Sequence, residues 1–188
     1  MRNDEGGNED LELIHRFRSG EEKAFEVLME THFRRIYRLA SHVLGGASTA
    51  EDIAQEVFIR AYKGRLQFRG DASLYSWLYR ITVNLSLNHL SRRRAASPAV
   101  QATSPVSPSS GGTDELERSQ RGAHVRDALA ALPPHYRVPV ILSILEGLKY
   151  REISALLGVP LGTVKSRISA GKQLLRERLL SLLGEDLT

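Results

Sequence analysis

The sequence contains no cysteine, which excludes disulfides, thiol catalysis and cysteine-based zinc sites. It has no long apolar run: Arg, Lys or Asp interrupts each one, so no membrane-spanning helix is expected. The opening "MRNDEGGNED" lacks the apolar segment of a signal peptide, and a cytoplasmic location is expected. No HExxH, Walker A loop or GxSxG occurs. The histidines, His15, His32, His42, His89, His124 and His135, are scattered, with no two at metal-ligand spacing on a helix. These absences leave no catalytic apparatus, so neither enzymatic activity, nor a cofactor, nor a small-molecule substrate is expected. No stretch alternates with period two for long enough to suggest a sheet.

What is present is a chain of 188 residues, 41% hydrophobic, enough to bury a core. The net charge of +4 permits a polyanionic partner, but it is not concentrated in one half. Residues 1–94 carry 15 Lys and Arg against 13 Asp and Glu, and residues 114–188 carry 11 against 9. Between the halves, "AASPAVQATSPVSPSSGGT" (95–113) has no charge and no aromatic, and includes three prolines and five serines. Such a composition does not fold alone. It reads as a tether that relaxes to about 25 Å and stretches to roughly 60 Å. The division predicted is one helical unit over 8–94, a linker over 95–117 and a second helical unit over 118–184.

Both units carry helical periodicity. "STAEDIAQEVFIRAY" begins with a capping-box spacing, Ser48 with Glu51, and continues with Ile53, Val57 and Ala61 on one face. Leu74, Leu78, Ile81 and Leu85 form another apolar stripe. The fold class expected is all-α. In the C-terminal unit, Pro133 and Pro134 suit a helix start, and Gly147 a turn after Glu146. A short helix in "YREISALLG" ends at Gly158, and Pro160 suits the start of the next. That last helix aligns Leu161, Val164, Ile168, Gly171, Leu175 and Leu179 on one side. Short helix, glycine turn and second helix make a helix-turn-helix, the shape that enters a major groove. Off the apolar stripe stand Thr163, Lys165, Ser166, Arg167, Ser169 and Lys172. Their hydroxyls suit phosphates near a helix N-terminus, and their cations suit phosphates or guanine edges. On an unrelated surface helix the same residues would merely be solvated.

The N-terminal unit has a second stripe of Trp77, Arg80, Asn84 and Asn88, followed by Arg92, Arg93 and Arg94. Aromatic and amide groups in a row can stack on bases and hydrogen-bond their edges, and arginines attract phosphates. The competing reading is that Trp77 and the nearby tyrosines are core.

Three motifs, "AEDIAQEVFIRAY", "FRGDASLYSWLYRITVNLSLNHL" and "LPPHYRVPVILSILEGLKYREISALLGVPLGTVKSRI", together resemble the extracytoplasmic-function group of bacterial sigma-70 factors. They stand in that family's order and spacing, on either side of a variable linker. The resemblance implies that the "AEDIAQEVF" helix docks on core RNA polymerase through Asp52, Gln55 and Glu56. It implies that the next motif holds the non-template strand of the −10 element, single-stranded. There Asp71, Ser73 and Tyr75 would lie near a pocket for an extruded base, with Trp77, Arg80, Asn84 and Asn88 on the adjoining helix. Extruding a base costs a few kcal/mol, so an enclosing pocket is needed to offset it. The helix-turn-helix would read the −35 element as duplex, roughly two helical turns or about 70 Å away, a span the tether can help to cover. A cognate anti-sigma factor is a further implied partner, covering the Asp52–Glu56 surface or wedging between the units.

One departure from the family pattern stands out. Family members often carry two arginines after the "VKSR" run, whereas here "ISAGK" places Ala170, Gly171 and Lys172. A mid-helix glycine costs up to ~1 kcal/mol relative to alanine, and a basic phosphate contact is lost. The alternative to a sigma factor is a stand-alone helix-turn-helix regulator. It accounts for residues 118–184 but leaves the motifs of the N-terminal unit without purpose.

Overall fold

The protein is described by a computed structural model covering residues 4–68, 73–96 and 113–185. Helices α1 (Asp4–Ser19), α2 (Glu22–Leu44), α3 (Ala50–Lys63) and α4 (Leu74–Ala96) form the N-terminal unit, with a 3-10 turn at Arg65–Gln67. Helices α5 (Thr113–Ala131), α6 (Pro134–Ile144), α7 (Tyr150–Leu157) and α8 (Leu161–Glu185) form the C-terminal unit. There is no strand among the described residues, as the absence of period-two patterning predicts. Of the stretch expected to be linker, 97–112 lie outside the described residues, while its two ends belong to α4 and α5.

In the N-terminal unit α2 is the central rod. Ala24, Leu28, Ile36, Leu39, Ala40 and Val43 bury one face of it against α3 and α4. Helix α3 answers with Ile53, Ala54, Val57, Phe58 and Ala61, at the spacing of a single helical face. Helix α4 contributes Leu74, Leu78, Tyr79 and Val83. Each fully buried Leu, Ile or Phe contributes about 1.5–3 kcal/mol relative to exposure. Helix α2 stops at Gly45, whose φ of +77° lets its N–H close back onto the Ser41 carbonyl at 3.0 Å. The capping box expected at Ser48 and Glu51 does not form. Helix α3 starts one residue later, with Thr49 at its N-cap and no side-chain cap bond.

The C-terminal unit follows its punctuation closely. Pro134 opens α6, Gly147 (φ +68°) turns the chain, and Gly158 (φ +66°) ends α7. A feature the sequence reading did not anticipate starts α7, where the Glu152 carboxylate accepts the Lys149 backbone N–H at 2.6 Å. Val164, Ile168 and Gly171 of α8 are buried. Gly171 faces α6 so closely that a Cβ there would lie 2.6 Å from Val140 Cγ2 and 3.3 Å from the Tyr136 carbonyl oxygen. Its place in the helix is therefore a close-approach site, not a weakness to be tolerated.

The two units pack against each other, and their buried apolar side chains join in one continuous cluster. Arg137 of α6, only 6% exposed, donates to the carbonyls of Val43 (2.8 Å) and Leu132 (2.9 Å) and also to that of Ala130. These carbonyls lie at the C-terminal ends of α2 and α5, where unpaired backbone oxygens and helix dipoles favour a cation. Burial lowers the Arg137 pKa to about 10, with Arg94 acting in the same sense, so the group stays charged at neutral pH. A Cβ on Gly45 would come within 2.8 Å of the Ala130 side chain, so the units meet there through small residues.

Candidate nucleic-acid interface

Three surfaces carry the residues singled out in the sequence. On α3, Asp52 and Gln55 are exposed, while Glu56 is half-buried and paired to Arg60 at 2.7 Å across one helical turn. Two of these three acceptors are thus free of ion pairs among the described residues.

On α4 the predicted residues divide. Asp71 lies outside the described residues. Ser73 precedes the helix, and its hydroxyl oxygen accepts the Ser76 backbone N–H at 3.1 Å, an N-cap contact. Trp77 is half-buried with its ring tilted against Phe68, centroids 5.2 Å apart, so it is in part the core residue that the competing reading supposed. Arg80, Asn84 and Asn88 are exposed along one face. Arg80, however, also donates to the Ala155 carbonyl of α7 at 3.2 Å.

Tyr75 turns towards the C-terminal unit. Its hydroxyl donates to Glu146 Oε2 at 3.0 Å, and Tyr79, which is fully buried, donates to the same oxygen. Arg35 of α2 approaches that oxygen too, its Nε at 3.4 Å and its guanidinium 4.1 Å above the Tyr75 ring centroid. Burial, reinforced by the negative Glu146, raises the Tyr75 hydroxyl pKa well above its ordinary value, so it remains a donor.

On α8, Lys165, Ser166, Ser169 and Lys172 are exposed, and Thr163 and Arg167 are half-buried. The Ser166 hydroxyl donates to the Thr163 carbonyl at 3.0 Å, inside the first turn. The turn before the helix is fixed by Ser154, whose hydroxyl donates to the Val159 carbonyl at 2.6 Å. An apolar side buried on α6 and a polar, basic side facing outward is the disposition a recognition helix requires.

The comparisons with known proteins match both units in chain order. The Sigma-70 region 2 model matches residues 28–96, and the Sigma-70, region 4 model matches residues 124–175. The chain belongs to the sigma-70 family. Among its relatives, the RNA polymerase sigma-H factor of Pseudomonas aeruginosa is 34% identical over 187 residues, covering 94% of this chain and 97% of the relative. The ECF RNA polymerase sigma-E factor of Escherichia coli is 33% identical over 184 residues, covering 93% and 96%. These likenesses put the chain in the extracytoplasmic-function group.

Among solved structures, the sigma factor RpoE of Bartonella quintana, in complex with the anti-sigma factor NepR, superposes with a TM-score of 0.70 at 25% identity. That match covers 84% of this chain and 97% of RpoE. CnrH, in complex with the cytosolic domain of CnrY, superposes with a TM-score of 0.64 at 25% identity, covering 94% and 98%.

Within this sigma factor, region 2 comprises most of α2 with α3 and α4, and the region 4 match runs from α5 into α8. Of the residues that tie the two regions together, Tyr75 and Arg80 are among those the sequence singles out, whereas Arg35, Tyr79, Arg137 and Glu146 are not. The spacing of Tyr75 and Tyr79, one helical turn apart, was the available signal. Nothing in the sequence pairs them with a glutamate some seventy positions away.

Proposed function

We propose that this sigma factor confers promoter specificity on bacterial core RNA polymerase and divides the work among the three surfaces. Asp52, Gln55 and Glu56 on α3 meet basic residues of the polymerase. Asp71, Ser73 and Tyr75, with Trp77, Arg80, Asn84 and Asn88 of α4, hold the separated −10 strand. Thr163, Lys165, Ser166, Arg167, Ser169 and Lys172 of α8 read the −35 duplex. The observation that carries this reading is the disposition of α8. Its apolar side is buried at Val164, Ile168 and Gly171, the last against Val140 and Tyr136 of α6, which leaves Lys165, Ser169 and Lys172 exposed.

The factor has no chemistry of its own, and nucleotide addition belongs to the polymerase. Its place of action is the cytoplasm; no helix of the described residues is long and apolar enough to cross a membrane. An anti-sigma factor holds it inactive. Two structural relatives were solved with such partners or with a partner's cytosolic domain, which supports that assignment.

The test is co-elution of the purified chain with bacterial core polymerase, followed by run-off transcription on genomic fragments. Co-elution with new, discrete start sites is expected. Tight binding to duplex DNA with no polymerase association would instead return the chain to the stand-alone regulator, which gives the surfaces of α3 and α4 no task.

A further inference from the structure

Three donors on region 2 converge on one oxygen. The Arg35 guanidinium, the Tyr75 hydroxyl and the Tyr79 hydroxyl all point at Oε2 of Glu146, which the C-terminal unit supplies. The carboxylate side chain is 6% exposed and Tyr79 is fully buried beneath it. Because Tyr79 belongs to region 2 and its cover belongs to region 4, separating the units uncovers hydroxyls built to donate to an anion. Tyr75 and Tyr79 lie one turn apart on α4, their ring centroids 3.9 Å apart, so α4 by itself sets the two phenols side by side.

We propose that Arg35, Tyr75 and Tyr79 form an anion-binding site of region 2, closed by the Glu146 carboxylate when the units are packed and filled by a phosphate of single-stranded DNA when they part. This deepens the reading of α4 as the surface for the separated strand and rests on it. A phosphate oxygen offers the same charge and the same acceptor geometry as Oε2.

The surroundings favour a polyanion over an isolated carboxylate. Arg38 stands exposed one turn beyond Arg35, and Arg80 stands exposed next to Tyr79. Asn84 and Asn88 continue along the same helix. Exposed arginines on both helices that bear the cradle, and exposed amides along α4, suit a ligand that carries both phosphates and bases. The unit that supplies Glu146 also holds Arg80 through the Ala155 carbonyl. One movement therefore frees both groups. In the closed molecule Glu146 occupies the place of a phosphate, and free protein binds single strands weakly.

The test uses the full chain and a short fluorescein-labelled oligothymidylate, titrated across a range of salt concentrations. Glu146→Ala is expected to bind about tenfold more tightly than wild type, the scale of one charge-assisted contact. Adding Arg35→Ala should remove the gain and reduce the slope of log K against log salt by about 0.7, the release expected for one phosphate on a single strand. Arg35→Lys in the same background should restore the slope, which a purely structural role for Arg35 would not do. If Arg35→Ala fails to fold, Glu146→Ala with Tyr79→Phe carries the comparison, with the gain expected to shrink.

Binding by Glu146→Ala no tighter than wild type overturns the site, and so does a salt slope indifferent to Arg35. Run-off transcription with core polymerase separates this from the function itself. Normal initiation by variants whose oligonucleotide binding does not move overturns the cradle and leaves the sigma factor. Absence of polymerase-dependent initiation by wild type overturns the broader reading.

Discussion

The Arg137 guanidinium of region 4 donates a hydrogen bond to the Val43 carbonyl of region 2 at 2.8 Å, where α2 ends and the two units meet. The same group satisfies the carbonyls of Ala130 and Leu132, so one side chain closes the ends of two helices. Arg137→Met keeps the length and removes every donor. Loss of partners for buried carbonyls outweighs the relief of desolvating a cation, and a net destabilisation of about 1–3 kcal/mol is expected. The check is the urea midpoint at unchanged slope; a wild-type midpoint would show that water replaces the guanidinium without penalty.

Gly171→Ala sets two effects against each other. Helix propensity favours alanine by about 1 kcal/mol. The new methyl would sit 2.6 Å from Val140 Cγ2 and press on Tyr136, and overpacking of this kind costs about 1–3 kcal/mol. Packing should win, so the variant unfolds at lower denaturant. Combining it with Val140→Ala removes the clashing methyl, and the double variant should be more stable than the two single effects predict. Strict additivity would mean that the helices separate freely.

His42 predicts a pH dependence. Burial lowers its pKa, Glu146 acts in the opposite sense, and Arg38 and Arg126 act with burial. Its Nδ1 is buried with no hydrogen-bond partner among the described residues. A group with a depressed folded pKa contributes stability above its unfolded value, near 6.5 for histidine, and that contribution is lost as pH falls below it. The thermal midpoint should therefore decline from about pH 6.5 downward. In His42→Gln the decline should be shallower; an identical profile would assign the effect to other groups.

Lys165→Ala and Arg167→Ala test the −35 face of α8. Each should weaken initiation from a −35-dependent promoter by about 1–3 kcal/mol if it contacts a base edge. Lys165 is exposed, so its variant should leave thermal stability untouched, while Arg167 is half-buried and should lose some. Undiminished transcription by both variants would remove this helix face from promoter recognition.

Asn84→Ala and Asn88→Ala separate strand capture from assembly. Both side chains are exposed, so co-elution with core polymerase should persist while open-complex formation, followed by permanganate reactivity, falls. Trp77→Ala is the less selective probe because its ring also packs on Phe68, and lost stability should accompany lost opening. A core-binding defect in Asn84→Ala would move that stripe out of the DNA-binding role.

Periodicity and punctuation made the helices legible. The stripes on α3, α4 and α8 and the ends at Pro134, Gly147 and Gly158 follow from local chemistry, which a sequence displays directly. The Ser48–Glu51 box failed because its spacing fits a cap but α3 begins a residue later. For Gly171 the sequence displays only a low helix propensity, whereas its neighbours on α6 decide its role. For Glu146 the sequence displays no more than a residue before a turn. Its partners, Tyr75, Tyr79 and Arg35, are set by how two helical units dock, and a helical period reports which way a residue faces without naming what it meets.

The contacts of Glu146, Arg137 and Arg80 have a reciprocal consequence. Whatever free energy they lend the closed form opposes every ligand that needs the units apart, and the preferences of several such ligands for the open form add against it. By the same linkage, a ligand that pulls region 4 away raises the affinity of the proposed site on region 2 for its strand, and the strand raises the affinity for that ligand by the same factor. On the proposed site, the two halves of the promoter are coupled through an equilibrium inside the factor.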